Sequence, residues 1–411
     1  MNPTYMLLVY GVWFLAMYFV VFIMLVYIIH RKTIFENKKS IGKGLPLISF
    51  VISAYNEEDK IGDTIKSLQT IDYPNMEFII VNDGSMDNTG RVVKQYLNDK
   101  RFIFIDNKDN KGKAKCLNQG ISLVKGKFVV TMDADSTVAP DVLRKTLPYF
   151  SDKKVGAVTV SIEVRDPKSI LDKVIEVEYL LGLSLFLKIY SMFNCVFVTP
   201  GPFSIFRRSV LIELNSFDEN NITEDMEIAY RIHEAGYKIK NCIGAKVKTI
   251  IPSNFKSLYV QRKRWYTGAI RTFFQHKNMH FKKKYGYFGF FLPYNFLLIT
   301  LGLILFLYTT YLGATTFIEN VWYYHYTDFN FFDHIFDLEF DILAFSSIKF
   351  IVMSSFIGIL LIMFSGLKVL KIKFREKKIG ILIYPFIYLI YQLFWLMSYI
   401  TTLRKKSIKW R

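Results

Sequence analysis

Five short polar segments of this 411-residue chain carry side chains of types that bind phosphates, hold metals or move protons. Ser53-Ala54-Tyr55-Asn56-Glu57 and Val81-Asn82-Asp83-Gly84-Ser85 each close an apolar run. An acid ahead of a Gly-Ser turn, as at Asp83, suits hydrogen bonds to a base or a ribose. Taken singly, either segment could be an Asx-capped loop, but on adjacent strand ends they support nucleotide binding. Asp133-Ala134-Asp135 offers two carboxylates directly after the next apolar run. Hard cations that neutralise a diphosphate, such as Mg²⁺ or Mn²⁺, take such oxygens. Thr223-Glu224-Asp225 opens a stretch of helical pattern running through Glu227 and Arg231. It reads either as a cap box with acids favoured by the helix dipole, or as a general base facing an acceptor hydroxyl. In Gln261-Arg262-Lys263-Arg264-Trp265, helical spacing puts Gln261, Arg264 and Trp265 on one face. That face reads as a phosphate fork with a flat platform for a sugar ring, or as a basic amphipathic helix at a membrane surface.

The elements that would position these residues are visible as apolar runs. Ile48 to Ala54, Met76 to Asn82, Phe102 to Asp106 and Lys127 to Met132 read as buried strands. Helical stretches lie between them, near Asp59 to Gln69 and Gly90 to Leu97. Short apolar strands alternating with helices predict a parallel α/β sheet covered on both faces, with ligands at the carboxyl ends of its strands. The polar segments fall at those ends.

Composition sets the surroundings of this domain. The chain is 52% hydrophobic and 17% aromatic, with the apolar residues concentrated at its two ends. The net charge is +18, yet no zinc-finger, RRM-like or basic-helix pattern is present to receive nucleic acid. The excess sits in clusters beside apolar stretches: His30-Arg31-Lys32, Lys282-Lys283-Lys284, Lys368 to Lys378, and Arg404-Lys405-Lys406. That placement fits an integral membrane protein under the positive-inside rule. Three cysteines, Cys116, Cys195 and Cys242, match no metal spacing and read as small buried side chains.

The chain divides into an N-terminal membrane helix (1–30), a central catalytic domain (45–280) and a C-terminal membrane region (281–411). Tyr5 to Ile29 carries no charge, is long enough to cross a bilayer, and reads as an uncleaved anchor with its following basic residues inside. Gly286 to Ile318 reads as an interfacial stretch broken at Pro293 and followed by a span. Glu319 to Asp341 reads as an outside loop, and Ile342 to Gly366 and Gly380 to Thr402 as the last two spans. Counting these crossings puts the basic tail, Arg404 to Arg411, outside, against the charge rule. A re-entrant last segment, or one more crossing before it, would remove the conflict.

Taken in order, the segments resemble the processive, membrane-integrated family 2 glycosyltransferases, the group of cellulose, chitin, hyaluronan and poly-N-acetylglucosamine synthases. The resemblance runs from the Asn56-Glu57 strand end through Asp83-Gly84-Ser85, Asn110-Lys111-Gly112-Lys113, Asp133-Ala134-Asp135 and Thr223-Glu224-Asp225 to Q-x-x-R-W at Gln261 to Trp265. It implies a GT-A fold, a Rossmann-like and mostly parallel α/β domain in the cytosol between transmembrane helices. By that resemblance Tyr55, Glu57, Asp83, Lys113, Asp133 and Arg264 are expected on a UDP-sugar donor, and Asp135 on Mg²⁺ or Mn²⁺. Asp225 is expected as the base. Glu224, Gln261 and Trp265 are expected on the acceptor, as are Gly201 and Phe203 of the turn Thr199-Pro200-Gly201-Pro202-Phe203.

The reaction implied is one in-line displacement, inverting the anomeric carbon while a glycan grows, with coupled export through an oligomer or accessory subunit. The other reading is transfer of a single sugar to a polyprenyl-phosphate or lipid-linked glycan; Q-x-x-R-W favours polymerisation. A third class, a nonenzymatic binding or signalling protein on the same scaffold, predicts loss of a key carboxylate, yet Asp83, Asp133, Asp135 and Asp225 are all present. Ser161 to Asp166 keeps Arg165 but lacks a Gly-Asn pairing associated with poly-N-acetylglucosamine synthases, which leaves the sugar open.

Overall fold

The computed structural model describes residues 3–30, 34, 44–326 and 347–404. Eight strands form one sheet: β1 (Ile48–Ala54), β2 (Met76–Asp83), β3 (Phe102–Asn107), β4 (Phe128–Asp133), β5 (Thr137–Val138), β6 (Val155–Val164), β7 (Ser204–Arg207) and β8 (Lys238–Thr249), in the order β3-β2-β1-β4-β7-β6-β8-β5. The first four are parallel neighbours, and the register Ile48↔Met76, Ile48↔Phe128 and Phe78↔Phe102 brings their carboxyl ends together. Continuous burial along β1 and β2 follows from their unbroken apolar runs, as in strands covered on both faces. The sheet is mixed beyond β4, because β7 runs antiparallel to both β4 and β6 and β5 antiparallel to β8.

Around the sheet lie α2 (Ile61–Gln69), α3 (Thr89–Lys94), α4 (Lys113–Ile121), α5 (Val142–Thr146), α6 (Ile170–Tyr179), α7 (Leu187–Met192), α8 (Arg208–Glu213), α9 (Glu224–Glu234) and α10 (Phe255–Gln275); α1 is Pro3–His30. Three long helices follow: α11 (Phe288–Tyr326), α12 (Ser347–Leu370) and α13 (Phe374–Leu403). The main core fills the space around β1, β2 and β4, with Phe50, Phe78, Val130 and Phe203 fully enclosed. A second core joins α6, α10 and α13 through Val174, Leu258, Tyr391 and Phe394.

The chain forms two compact units. One holds the sheet, α2 to α10 and α13; the other holds most of α1, α11 from Pro293 onward, and α12 up to Ser365. Inside the helical unit Trp13 Nε1 donates to Ser354 Oγ at 3.1 Å, and Tyr294 Oη donates to the Leu15 carbonyl at 2.6 Å. Among the described residues four helices, Pro3–His30, Phe288–Trp322, Met353–Leu370 and Phe374–Leu403, are long and apolar enough to cross a membrane, as expected of a multi-pass membrane protein.

The expected break at Pro293 is absent: α11 runs through it. Proline cannot bond the carbonyl four residues back. Here that carbonyl, of Gly289, instead accepts the Phe281 N–H at 2.8 Å, which satisfies it. Of the expected outside loop, residues 319–326 are the end of α11, and 327–341 lie outside the described residues. So do Arg31, Lys32 and the basic tail beyond Arg404.

Candidate active site

The two loops that follow β1 and β2 are stitched to each other. Asn56 N–H donates to Ser85 Oγ at 2.9 Å, Met86 N–H to Asn56 Oδ1 at 2.8 Å, and Glu57 N–H to Thr89 Oγ1 at 2.8 Å. Tyr55, half-buried, and Glu57, ion-paired with Lys60 at 2.7 Å, therefore sit on a fixed rim. Asp83 is buried at the end of β2, and its carboxylate accepts the N–H groups of Lys111 and Gly112 at 2.6 and 3.0 Å. It thereby holds the loop that leads into α4, whose first residue is Lys113.

Lys113 links three of the sequence segments. Its ammonium lies 2.6 Å from Asp133 at the end of β4 and 3.1 Å from Glu224 at the start of α9. Burial alone would depress its pKa, but the carboxylates of Asp133, Glu224 and Asp225 outweigh that and hold it raised, so the ammonium stays charged. A Cβ at Gly201 would lie 2.6 Å from Lys113 Nζ and 2.8 Å from Asp133 Oδ2, so the backbone of this turn reaches the ion pair only because the residue is glycine. The turn is tied to α9 as well: Thr199 donates its N–H and its hydroxyl to the Asp225 carbonyl at 2.9 and 2.7 Å. Lys113, Thr199, Gly201, Glu224 and Asp225 line a common cavity.

Asp225 is half-buried in the first turn of α9, and its carboxylate accepts the neighbouring Met226 N–H at 2.9 Å. Desolvation first, and then the adjacent Glu224 charge, push its pKa up to about 6, with Lys113 and Arg264 pulling the other way. Asp135 accepts the hydroxyls of Ser136 and Thr249 at 3.1 and 3.2 Å. It too is pushed up to about 6, by desolvation and then by the charges of Asp133 and Glu57. No cluster of three or more His, Cys, Asp or Glu ligands exists among the described residues.

The basic segment lies on α10. Arg264 donates to the Ile222 carbonyl at 3.5 Å, just ahead of α9. Arg262 is fully buried: it donates to Gln261 Oε1, bonds Glu178 of α6 at 2.8 Å, and stacks its guanidinium 4.2 Å from the Trp265 ring centroid. One side chain thus contacts both Gln261 and Trp265. The sequence reading missed Arg262, since nothing in three consecutive basic residues marks which one turns inward. A signal was available in Glu178, an acid set between Val177 and Tyr179 in an apolar stretch, where a cation partner is called for.

One expected acceptor contact needs correction. Phe203 is fully buried and packs edge-on against Phe50, 6.4 Å between centroids, so its ring supports the turn from the core and does not face a ligand. The remaining expected residues form a connected band: the Glu57–Asp83 rim, the Lys113–Asp133–Glu224–Asp225 cluster with Gly201 above it, Asp135 beside it, and the α10 segment.

Residues 49–214 match the family model described as "Glycosyl transferase family 2". A poly-beta-1,6-N-acetyl-D-glucosamine synthase of Staphylococcus aureus is 34% identical over 232 residues, 55% of this chain and 56% of that protein. The enzyme of the same name from Staphylococcus epidermidis is 33% identical over 223 residues, 54% of each chain. The match therefore spans about half the length of these curated relatives. Among solved structures, a mannosyltransferase from Pyrobaculum calidifontis, in complex with GDP-Man and Mn²⁺, aligns over 97% of this chain and 100% of its own, with a TM-score of 0.63 and 16% identity. That likeness is one of fold.

Proposed function

We propose, from the match of residues 49–214 to the family 2 glycosyltransferase model, an inverting glycosyltransferase that builds a polysaccharide from a UDP-sugar at the cytoplasmic face of a membrane. N-acetylglucosamine is the donor sugar favoured by the relatives' names, with another hexose the alternative. The observation that carries the reading is the convergence on Lys113: one ammonium within 2.6 Å of Asp133 and 3.1 Å of Glu224, with Asp225 lining the same cavity. A permanent cation beside a general-base candidate is what a reaction expelling a nucleotide diphosphate requires.

The acceptor hydroxyl gives its proton to the Asp225 carboxylate while its oxygen bonds to the anomeric carbon. The bond to the diphosphate oxygen breaks on the opposite face, and the electron pair leaves with the nucleotide. A single displacement inverts that carbon. Glu57 and Asp83 border the nucleoside end of the cleft, and Lys113 and Arg264 offer positive charge to the departing phosphates. Gln261 and the face of Trp265 not covered by Arg262 receive the acceptor sugar.

Asp133 and Asp135 suit Mg²⁺ or Mn²⁺. The Asp135 carboxylate, pushed up first by desolvation and then by Asp133 and Glu57, is relieved by a divalent cation, and two protein oxygens suit an ion that keeps waters and takes the donor's phosphates. When bound, such an ion supplies charge neutralisation for the diphosphate.

The test is turnover of labelled UDP-sugars, offered singly to the purified full-length protein in nanodiscs, with and without EDTA. One sugar should be consumed, and chelation should stop its use. Asp225→Asn should cut turnover by roughly 10²–10⁴-fold, the range of lost general-base catalysis, while donor binding persists. Near-normal turnover in Asp225→Asn would remove the base assignment, and full activity in EDTA would remove the metal.

A further inference from the structure

We infer, on the reading of Gln261 and Trp265 as acceptor contacts proposed above, that Glu178 on α6 is a positioning residue for the acceptor site. It holds the Arg262 guanidinium against Trp265 and so fixes the ring face that a sugar meets.

The carboxylate stands where α6, α10 and α13 share one core. A single oxygen of Glu178 accepts from Arg262 of α10 at 2.8 Å and from the Tyr391 hydroxyl of α13 at 2.7 Å. Its own place is set by the fit of α6 to α13. Lys377 pairs with Glu176 at 2.7 Å. A Cβ at Gly380 would lie 2.2 Å from the Lys173 carbonyl oxygen, so the two helices touch backbone to backbone. All of these residues belong to the compact unit that holds the sheet.

The guanidinium passes that position on. It is fully buried among three rings, its carbon 4.2 Å from the Trp265 centroid, 5.7 Å from that of Tyr391 and 5.9 Å from that of Tyr179. It also donates to Gln261 Oε1. Arginine carries its donors in a rigid planar fork. Pinning that plane at Glu178 therefore fixes both the amide it meets and the tilt of the ring it covers. Gln261 and Trp265, both half-buried, stand one helical turn apart on α10, and Arg262 touches each.

Stability alone is a poor reason for such a pair. A guanidinium and a carboxylate withdrawn from water recover that cost only when their remaining polar atoms are also matched. Here the buried Arg262 Nε has no hydrogen-bond partner among the described residues. Apolar side chains of similar volume serve folding as well or better. What they cannot supply is a directed plane against Trp265, and orientation of the platform is what the charged pair adds.

The test separates acceptor from donor, and orientation from folding. Full-length protein in nanodiscs receives UDP-N-acetylglucosamine and Mg²⁺, with or without short β-1,6-linked N-acetylglucosamine oligomers as acceptor. In Glu178→Gln the acceptor KM should rise about 5–10-fold, the scale of one cation–π contact. Donor KM, and donor hydrolysis without acceptor, should not change. Tyr391→Phe removes one tether and leaves the charged pair, so its acceptor KM should move the same way by less. The double variant Glu178→Gln with Arg262→Met removes both charges. It should melt no lower than wild type and still show the raised acceptor KM. A normal acceptor KM in Glu178→Gln or in the double variant would overturn the positioning role, as would a donor KM rising in step. A wild-type protein that hydrolyses the donor yet extends no oligomer would instead strike the acceptor reading itself, and the positioning role with it.

Discussion

Asp225 stands between opposing fields, with Glu224 beside it in sequence and Lys113 and Arg264 across the cavity. With its pKa near 6, it is ionised at neutral pH but remains a stronger base than an exposed aspartate. Turnover per bound donor should rise as pH climbs through about 6 and then level off, and a flat profile between pH 5 and 7 would remove Asp225 as the titrating base. The stability effect has the opposite sign. A carboxyl raised by folding contributes stability below its unfolded pKa and loses it as pH rises through the folded value. Asp225→Asn should therefore melt no lower than wild type at pH 7.5, which separates lost chemistry from lost folding. The acids were legible in sequence because each follows an apolar strand or opens a helix, whereas Lys113 was reached only through the family resemblance, since no helix was read at its position. Phe203 was misassigned because a turn's sequence does not say which way its ring points, and Arg262 was missed because its burial depends on Glu178, 84 residues away.

At the scale of elements, the site depends on α10 lying against the start of α9. A Cβ at Gly268 would lie 2.3 Å from both Oγ1 and Cγ2 of Thr223, immediately before Glu224 and Asp225. Gly268→Ala must move one helix or the other, at about 1–3 kcal/mol of overpacking. It should lower turnover more than donor binding, and Thr223→Ala should restore part of the loss. Unchanged turnover in Gly268→Ala would show that the helix contact does not set the position of Asp225. β1 was read to its exact ends, and β2, β3 and β4 to within one residue, because unbroken apolar runs leave few alternatives. The second half of the sheet was not read. β7 has only four residues, and β8 alternates lysines with apolar side chains, so neither stands out from loop or edge sequence without its partners.

At the scale of the whole molecule, apolar length located all four long helices, but length alone does not say whether a helix crosses a membrane or rests on it. What α13 packs against, α6 and α10, is not carried by hydropathy. The arrangement puts Tyr391 of α13 on the same Glu178 carboxylate that holds Arg262, and Arg262 stacks on Trp265. The proposed acceptor platform is thus braced from the last long helix. The most direct test of the central claim is the size of the product made by purified protein in nanodiscs from radiolabelled UDP-N-acetylglucosamine with Mg²⁺ or Mn²⁺, resolved on a gel. High-molecular-weight material that is absent with Asp225→Asn is the predicted result. A product confined to one added sugar on an organic-extractable lipid would contradict polymerisation.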